Sequence, residues 1–287
     1  MLQDYEFVKH RRNGSTIYRC KEYTHYMKVG PWEEIQQEVR LYELLLSYDV
    51  PMPKLLGYEM MTDGLGRMKE ESLKGKLYSE IFTESCDTHG FVEDSILDQF
   101  ITYQKKHLVA QRNTIGKKVV DRAFDCHHHL HTEGFMESDK AHALMQKIDG
   151  IGVNVPHGRN HGDHNAYNIF QDGLIDLEDS FEGYLGYDTV TAITQNYRFP
   201  ASGAELCRQH AFTEKQMRHY LTQLSTDDMS FLDSDTFGLL FLMRGIFCTV
   251  ETQDAPMLQA YRYKRLHDAI DALFAGENML EFFVKSY

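Results

Sequence analysis

No apolar run in this 287-residue chain approaches the twenty or so residues that a membrane-spanning helix needs. The opening residues Met1-Leu-Gln-Asp-Tyr-Glu6 lack both the basic and the apolar segment of a secretory signal. The five cysteines (Cys20, Cys86, Cys126, Cys207, Cys248) are odd in number, scattered, and free of Cys-x-x-Cys spacing. That pattern argues against a disulfide framework and suits reduced thiols in a cytoplasmic protein. Positive charge is scarce: 30 basic side chains face 43 acidic ones, for a net charge of −13. With no long Lys/Arg run, nucleic acid and anionic membranes are poor partners, and cationic ligands are favoured. There is no internal repeat, low-complexity tract, long Pro/Gly/Ser linker or Gly-x-Gly-x-x-Gly loop. What remains is a chain that is 42% hydrophobic and long enough to bury a large core.

The most informative stretch runs from His161 to Asp179, HGDHNAYNIFQDGLIDLED. Four residues separate Asp163 from Asn168, the spacing between a phosphoryl-transfer base and a metal-ligating Asn on one loop. Such chemistry needs a carboxylate to orient and deprotonate the attacking hydroxyl. It also needs oxygen ligands that hold magnesium against the phosphates. Asp172-Gly173, between the apolar-rich runs Ile169–Gln171 and Leu174-Ile175, predicts a tight hairpin. In that register Gln171 pairs with Leu174, Phe170 with Ile175 and Ile169 with Asp176. Asp176 then arrives beside Asn168 as the second metal ligand. Asp179 is the alternative ligand and Glu178 a weaker third. Short Asp/Asn-rich segments also occur as plain capped turns, but loop, hairpin and second Asp in succession favour the phosphoryl-transfer reading.

HGDHNAYNIF followed by LIDLED resembles the H-G-D-x-x-x-x-N and I-D-x-x-D elements of the aminoglycoside phosphotransferase-like kinases, a group that also holds choline and homoserine kinases. The resemblance implies Asp163 as catalytic residue and Asn168 and Asp176 as metal ligands. Tyr187-Asp188 is similar to the family's following Tyr-Asp, whose Asp braces the loop. The hairpin is shorter than usual in the family. Val50-Pro-Met-Pro-Lys-Leu-Leu56 resembles the family's V-P-x-P-x-x-L linker, so the likeness spans both halves of the chain.

The N-terminal part supplies an independent sign. Thr24–Val29 predicts a strand carrying Lys28 between Met27 and Val29, and a strand lysine of this kind needs a partner. From Trp32 to Tyr48, the spacing of Ile35, Val39, Tyr42, Leu45 and Leu46 predicts a helix. Glu38 is the expected partner of Lys28, with Glu34 one turn earlier as the alternative. Asn13-Gly-Ser15-Thr16 lies between two strand-like runs, Tyr5–His10 and Ile17–Lys21. Its backbone could cover phosphates, which places Ser15 in the nucleotide site, although one glycine is a weak signal. Met68-Lys-Glu70-Glu-Ser72 falls where the backbone of a linking strand would meet adenine, which brings in Glu70.

The fold expected is α+β and two-lobed, like a protein kinase. Residues 1–72 form a small strand-rich nucleotide lobe, and residues 73–287 form a mainly helical catalytic and substrate lobe. Helices are predicted from Val92 toward His131 and over Glu214–Leu224, Phe237–Val250 and Pro256–Phe274. His127 and His131 stand one helical turn apart, but with no Cys or Glu to complete a zinc motif they are taken as a helix end. His164 is a further residue in reach of a substrate. The activity expected is ATP- and Mg2+-dependent phosphorylation of a hydroxyl on a small molecule. An amine-bearing acceptor such as an aminoglycoside or another amino-alcohol would suit the acids Glu182, Asp227, Asp228, Asp233, Asp235, Glu251 and Asp254. The alternatives are a lipopolysaccharide-sugar kinase, a protein kinase, or a non-catalytic kinase fold used for binding. Gly162 in place of the loop Arg, and the lack of an Ala-Pro-Glu element after Asp176, speak against a protein kinase.

Overall fold

The computed structural model describes residues 3–11, 13–62, 64–113, 136–194, 212–225, 232–250 and 255–285. Five antiparallel strands open the chain: β1 (Tyr5–His10), β2 (Thr16–Cys20), β3 (His25–Pro31), β4 (Leu55–Met60) and β5 (Leu65–Glu71), in the spatial order β1-β2-β3-β5-β4. Among the described residues β1 is an edge strand paired only with β2, and its ladder slips between Phe7 and Lys9. Residues 6–10 of β1 are exposed, whereas central β3 buries Met27, Lys28 and Gly30.

Helix α1 (Trp32–Ser47) crosses between β3 and β4 and packs on β3 and β5. Glu33 and Glu34 in its first turn complement the positive end of the helix dipole. It buries Ile35, Val39, Leu41, Tyr42 and Leu45 together with Glu38. Leu46, which the spacing placed on the core face, is exposed, and Leu41 takes its place. The apolar stripe is therefore turned slightly toward the Leu41 side.

Beyond Glu71 the chain leaves the sheet for helices α2 (Tyr78–His89) and α3 (Asp94–Arg112). The connecting segment is pinned to the later hairpin. Lys74 N–H donates to Asp172 Oδ2 at 2.8 Å, and Gln171 N–H donates to the Lys76 carbonyl at 3.0 Å. The predicted continuation of α3 toward His131, with the His127–His131 cluster, lies outside the described residues. After α4 (Ser138–Gly152) come two small ribbons. Strands β6 (His157–Asn160) and β9 (Phe181–Tyr184) pair with each other, as do β7 (Ile169–Phe170) and β8 (Gly173–Leu174). Helices α5 (Tyr187–Thr194), α6 (Glu214–Ser225), α7 (Ser234–Val250), α8 (Pro256–Phe274) and α9 (Met279–Lys285) complete the helical part.

The core of this part has two centres. Tyr78 and Phe82 of α2, Phe100 of α3, Tyr220 of α6 and Phe212 just before α6 form one aromatic cluster, with neighbouring ring centroids 5.0–6.4 Å apart. The other is α7, buried on nearly every side by α4, α5, α8 and α9. An apolar helix of this kind belongs in a core when its neighbours cover it all round. Among the described residues no helix is long and apolar enough to cross a membrane.

Phe100 is fully buried and touches three other rings. Phe100→Ala is expected to lower unfolding stability by roughly 3–5 kcal/mol, the cost of lost burial plus a cavity. Urea unfolding of the two proteins checks this, and a loss below 1 kcal/mol (about the cost of one methylene) would mean the cluster collapses around the gap.

Candidate functional site

A cavity of about 410 Å3 separates the sheet from the hairpin. Ile17, Tyr26, Lys28 and Glu70 wall it from the sheet, and Phe170 and Asp176 from the other side. Lys28 is buried and bonded to Glu38 of α1, with Glu70 Oε1 3.9 Å away. Burial alone would lower the lysine's pKa, but Glu38 and Glu70 together hold it above its ordinary value. Burial pushes the Glu70 carboxyl up, against the pull of Lys28. Glu34, the alternative partner, instead meets Asn13 at the tip of the β1–β2 turn.

The loop from His161 to Asn168 is held from below by Asp188, which opens α5 and is wholly buried. Its Oδ2 accepts from the N–H of His161 (2.6 Å), Gln111 Nε2 (2.7 Å) and His107 Nε2 (3.0 Å). Its Oδ1 accepts from the Gly162 N–H at 3.0 Å. Burial works to raise this carboxyl's pKa, yet the His107 bond, with its other partners, keeps it below the ordinary value. Gly162 is required where it stands: its φ is +88°, and an added Cβ would lie 2.0 Å from the Asp179 carbonyl oxygen. His161 then links loop to hairpin, with Nδ1 accepting from the Asp163 N–H (3.2 Å) and Nε2 at 2.9 Å from the Ile175 carbonyl.

Asp163 is about one-third exposed and has both carboxylate oxygens engaged. Oδ1 accepts from Arg244 at 2.7 Å and Oδ2 from Asn168 Nδ2 at 3.0 Å. The Asn168 amide also donates to the Asp163 carbonyl, at 2.8 Å. Its Oδ1 thereby stays free to face a cation. The loop thus holds the Asp163 and Asn168 side chains together by hydrogen bonding.

The hairpin forms in a different register from the predicted one. Ile169 pairs with Leu174 and Phe170 with Gly173, so Gln171-Asp172 and not Asp172-Gly173 make the turn. Tertiary contacts decide this: Asp172 caps Lys74, Gln171 bonds the Lys76 backbone, and Leu174 N–H donates to the Pro51 carbonyl. Ile175 N–H donates to the Asn168 carbonyl at 3.0 Å, so Asp176 still emerges next to Asn168. Its backbone is left-handed there, at φ 71°. Asp176 faces the cavity and Glu178 faces Arg11 at 3.5 Å, while Asp179 brings its backbone against Gly162.

Ser15 requires a correction. Its side chain is buried against Gly30, and its hydroxyl donates to Asn13 Oδ1 at 2.7 Å. The residue of that turn that does reach the cavity is Arg11. Its guanidinium lies 2.5 Å from Asp176 Oδ1. Burial works to raise Asp176, but Arg11, Lys28 and Lys9 outweigh it and hold the carboxyl below its ordinary value. His164 is likewise not at a surface: it is fully buried, stacked on His107 with ring centroids 3.9 Å apart.

Arg244 and Arg11 escaped sequence reasoning. Arg244 had a signal: it is the one charge inside the apolar run from Phe237 to Val250, and a lone buried cation demands a carboxylate. Arg11 sits beside Arg12 in what reads as a polar turn, with nothing local to show that it points inward.

A strand-rich lobe carrying a Lys–Glu pair, a linker, a loop with Asp and Asn, and a helical lobe together define the two-lobed kinase-like fold. Solved aminoglycoside phosphotransferases share it over nearly the whole chain. A thermostable mutant of APH(4)-Ia in ternary complex with ADP and hygromycin B superposes with a TM-score of 0.61 at 14% identity, covering 94% of each chain. The GDP and kanamycin complex of APH(2″)-IIIa gives 0.62 at 11% identity and 93% of each chain. The GDP complex of wild-type aminoglycoside 2′-phosphotransferase-IIIa gives 0.60 at 12% identity, over 95% of this chain and 94% of that one. At such identities the likeness establishes the fold and leaves the chemistry to the site. In sequence, no protein-family model and no curated protein matches the chain.

Burial lowers the pKa of His107, against the bond to Asp188, and that of His164 more strongly. In the unfolded chain both titrate near pH 6.5, so the unfolded state takes up protons first as pH falls. Their contribution to stability is full above about pH 6.5 and is lost below it. The melting temperature is therefore expected to fall between about pH 7.5 and about pH 5.5, and to fall less in His164→Phe, as read by circular dichroism. Equal pH slopes in the two proteins would show that His164 does not contribute.

Proposed function

We propose that the chain is a small-molecule kinase, transferring the γ-phosphoryl group of ATP, with magnesium, to a hydroxyl of its acceptor. The observation that carries this reading is the state of Asp163: a partly exposed carboxylate whose two oxygens are fixed from opposite sides by Arg244 and Asn168. A base so held is oriented before an acceptor arrives. In the reaction, the acceptor hydroxyl gives its proton to Asp163 as its oxygen bonds the γ-phosphorus. The bond from that phosphorus to the bridging oxygen breaks, leaving ADP.

The nucleotide is assigned to the 410 Å3 cavity, with Lys28, fixed by Glu38, against its phosphates. Residues 1–72 then act as the nucleotide lobe and residues 73–287 as the acceptor lobe, the base meeting the linking backbone around Glu70–Ser72. Asn168 and Asp176 fit a magnesium ion: both are oxygen donors, and Asp176 Oδ1 is buried with no hydrogen bond, only the ion pair to Arg11. When bound, the ion would supply positive charge to the phosphates as negative charge moves to the leaving group.

The acceptor is proposed to be a small hydroxyl compound, with amine-bearing ones favoured by the net charge of −13. The described acids give that preference little local support. Glu182 is paired with Arg159 at 3.2 Å, and Asp233 accepts from the Thr236 N–H as a helix cap. Asp227, Asp228, Glu251 and Asp254 lie outside the described residues. That Cys20, Cys86 and Cys248 form no disulfide agrees with a cytoplasmic setting.

Asp163→Asn should lower turnover by roughly 10²–10⁴-fold while nucleotide affinity stays within a few fold, because the residue faces the acceptor. A screen of hydroxyl compounds by ADP release supplies the assay, and near-normal turnover in the variant would remove Asp163 from this role. Asp176→Ala should shift the magnesium requirement for turnover far more than Asp179→Ala does. The reverse ranking would assign the metal to Asp179.

A further inference from the structure

The β1–β2 turn sits where a kinase normally presents free backbone N–H groups to phosphates, yet this turn spends its donors on itself. Arg11 N–H donates to the Ser15 carbonyl at 2.8 Å, Gly14 N–H to the Arg11 carbonyl at 3.2 Å, and Ser15 N–H to Asn13 Oδ1 at 3.0 Å. With these three committed, the turn cannot cradle an anion through them as a glycine-rich loop does.

What the turn does present is a side chain. Arg11 extends from the end of β1 into the cavity that Lys28 and Asp176 also line. Its side chain is 3% exposed. One guanidinium nitrogen lies 2.5 Å from Asp176 Oδ1 and another 3.5 Å from Glu178 Oε2. Nε and Nη1 are buried and donate no hydrogen bond. Buried guanidinium donors without acceptors are costly, and their planar fork matches phosphate oxygens.

The geometry points to Arg11 as a phosphate-binding residue that replaces the glycine-rich loop, shared between Asp176 and the terminal phosphates of the nucleotide. The inference rests on the nucleotide reading above. Asp176, holding a divalent cation, would have its charge balanced without the guanidinium. The spare donors of Arg11 would then meet the β- and γ-phosphates in the cavity that Lys28 also lines. Lys9, 3.3 Å from Asp176 and half-exposed, is the cation left to the carboxylate when Arg11 turns away. Nucleotide, metal and turn are in this way linked through one carboxylate.

Isothermal titration with a magnesium salt present, comparing AMP-PNP and GMP-PNP with AMP and GMP, tests this on the full chain. Arg11→Gln should weaken binding of the triphosphate analogue by roughly 10–100-fold, the range for losing charge-assisted bonds. It should leave the monophosphate within about threefold, a change of well under one kcal/mol by the affinity relation. Arg11→Lys keeps the charge next to Asp176 and Glu178 and carries the test if Arg11→Gln melts early. It should lose triphosphate affinity by a smaller factor, again with the monophosphate unmoved. Equal losses for tri- and monophosphate would show a role in shape alone and overturn the inference. So would wild-type affinity for the triphosphate in both variants. If the wild-type chain binds none of the four, the nucleotide reading falls and Arg11's role falls with it. If the wild type binds and the variants match it, only the role of Arg11 is lost.

Discussion

The structure of the site depends on one buried anion. Asp188 is fully buried and, among the described residues, has no Lys or Arg against it; two backbone N–H groups, one amide and one imidazole do the compensating. Two of these donors are adjacent at the start of the loop, and the other two stand on successive turns of α3. A carboxylate with both oxygens so occupied stays ionised in a core that would otherwise expel its charge. It also sets the positions of His161 and Gly162, and through them Asp163. The residue two places before Asp163 is thus fixed by a side chain twenty-five places after it.

A second layer of constraint is built from single ion pairs that cross between elements. Arg244 carries α7 to Asp163, Arg11 carries the sheet to Asp176, and Glu38 carries α1 to Lys28. All three cations are nearly inaccessible, so removing one member would strand a buried charge. Arg244 joins a largely buried, apolar helix to the residue assigned as base. Its second hydrogen bond, to the Gly162 carbonyl at 3.1 Å, grips the loop at the point where Asp188 grips it from below.

Local features were legible in the sequence where one segment determines its own geometry. The Asp163–Asn168 spacing, the α1 stripe and the Lys28–Glu38 separation all depend on residues within a turn or two, or across one strand–helix step. The hairpin register was not legible, because Asp172-Gly173 is a good local turn that the connecting segment overrules through Lys74 and Lys76, almost a hundred residues earlier. Ser15 failed for a related reason. Nothing in its neighbours shows that Asn13 takes its hydroxyl and that Gly30 leaves room for it to turn inward. Arg11 and Arg244 are the reverse case: their side chains find partners over a hundred and about eighty residues away, at distances no periodicity encodes.

The edge position of β1 divides the site into two mechanical regimes. Asp163 is secured by buried contacts on α3, α5 and α7, so moving it means opening the core. Arg11 hangs from a strand with one neighbour, a slipped ladder and exposed side chains over five of its six positions. Local opening costs least where few buried groups separate with the segment. Separating this outer wall of the cavity would disrupt fewer buried groups than moving the loop beneath it. The two walls of the cleft are thus held by different means, one by an edge strand and the other by a carboxylate shut away from water.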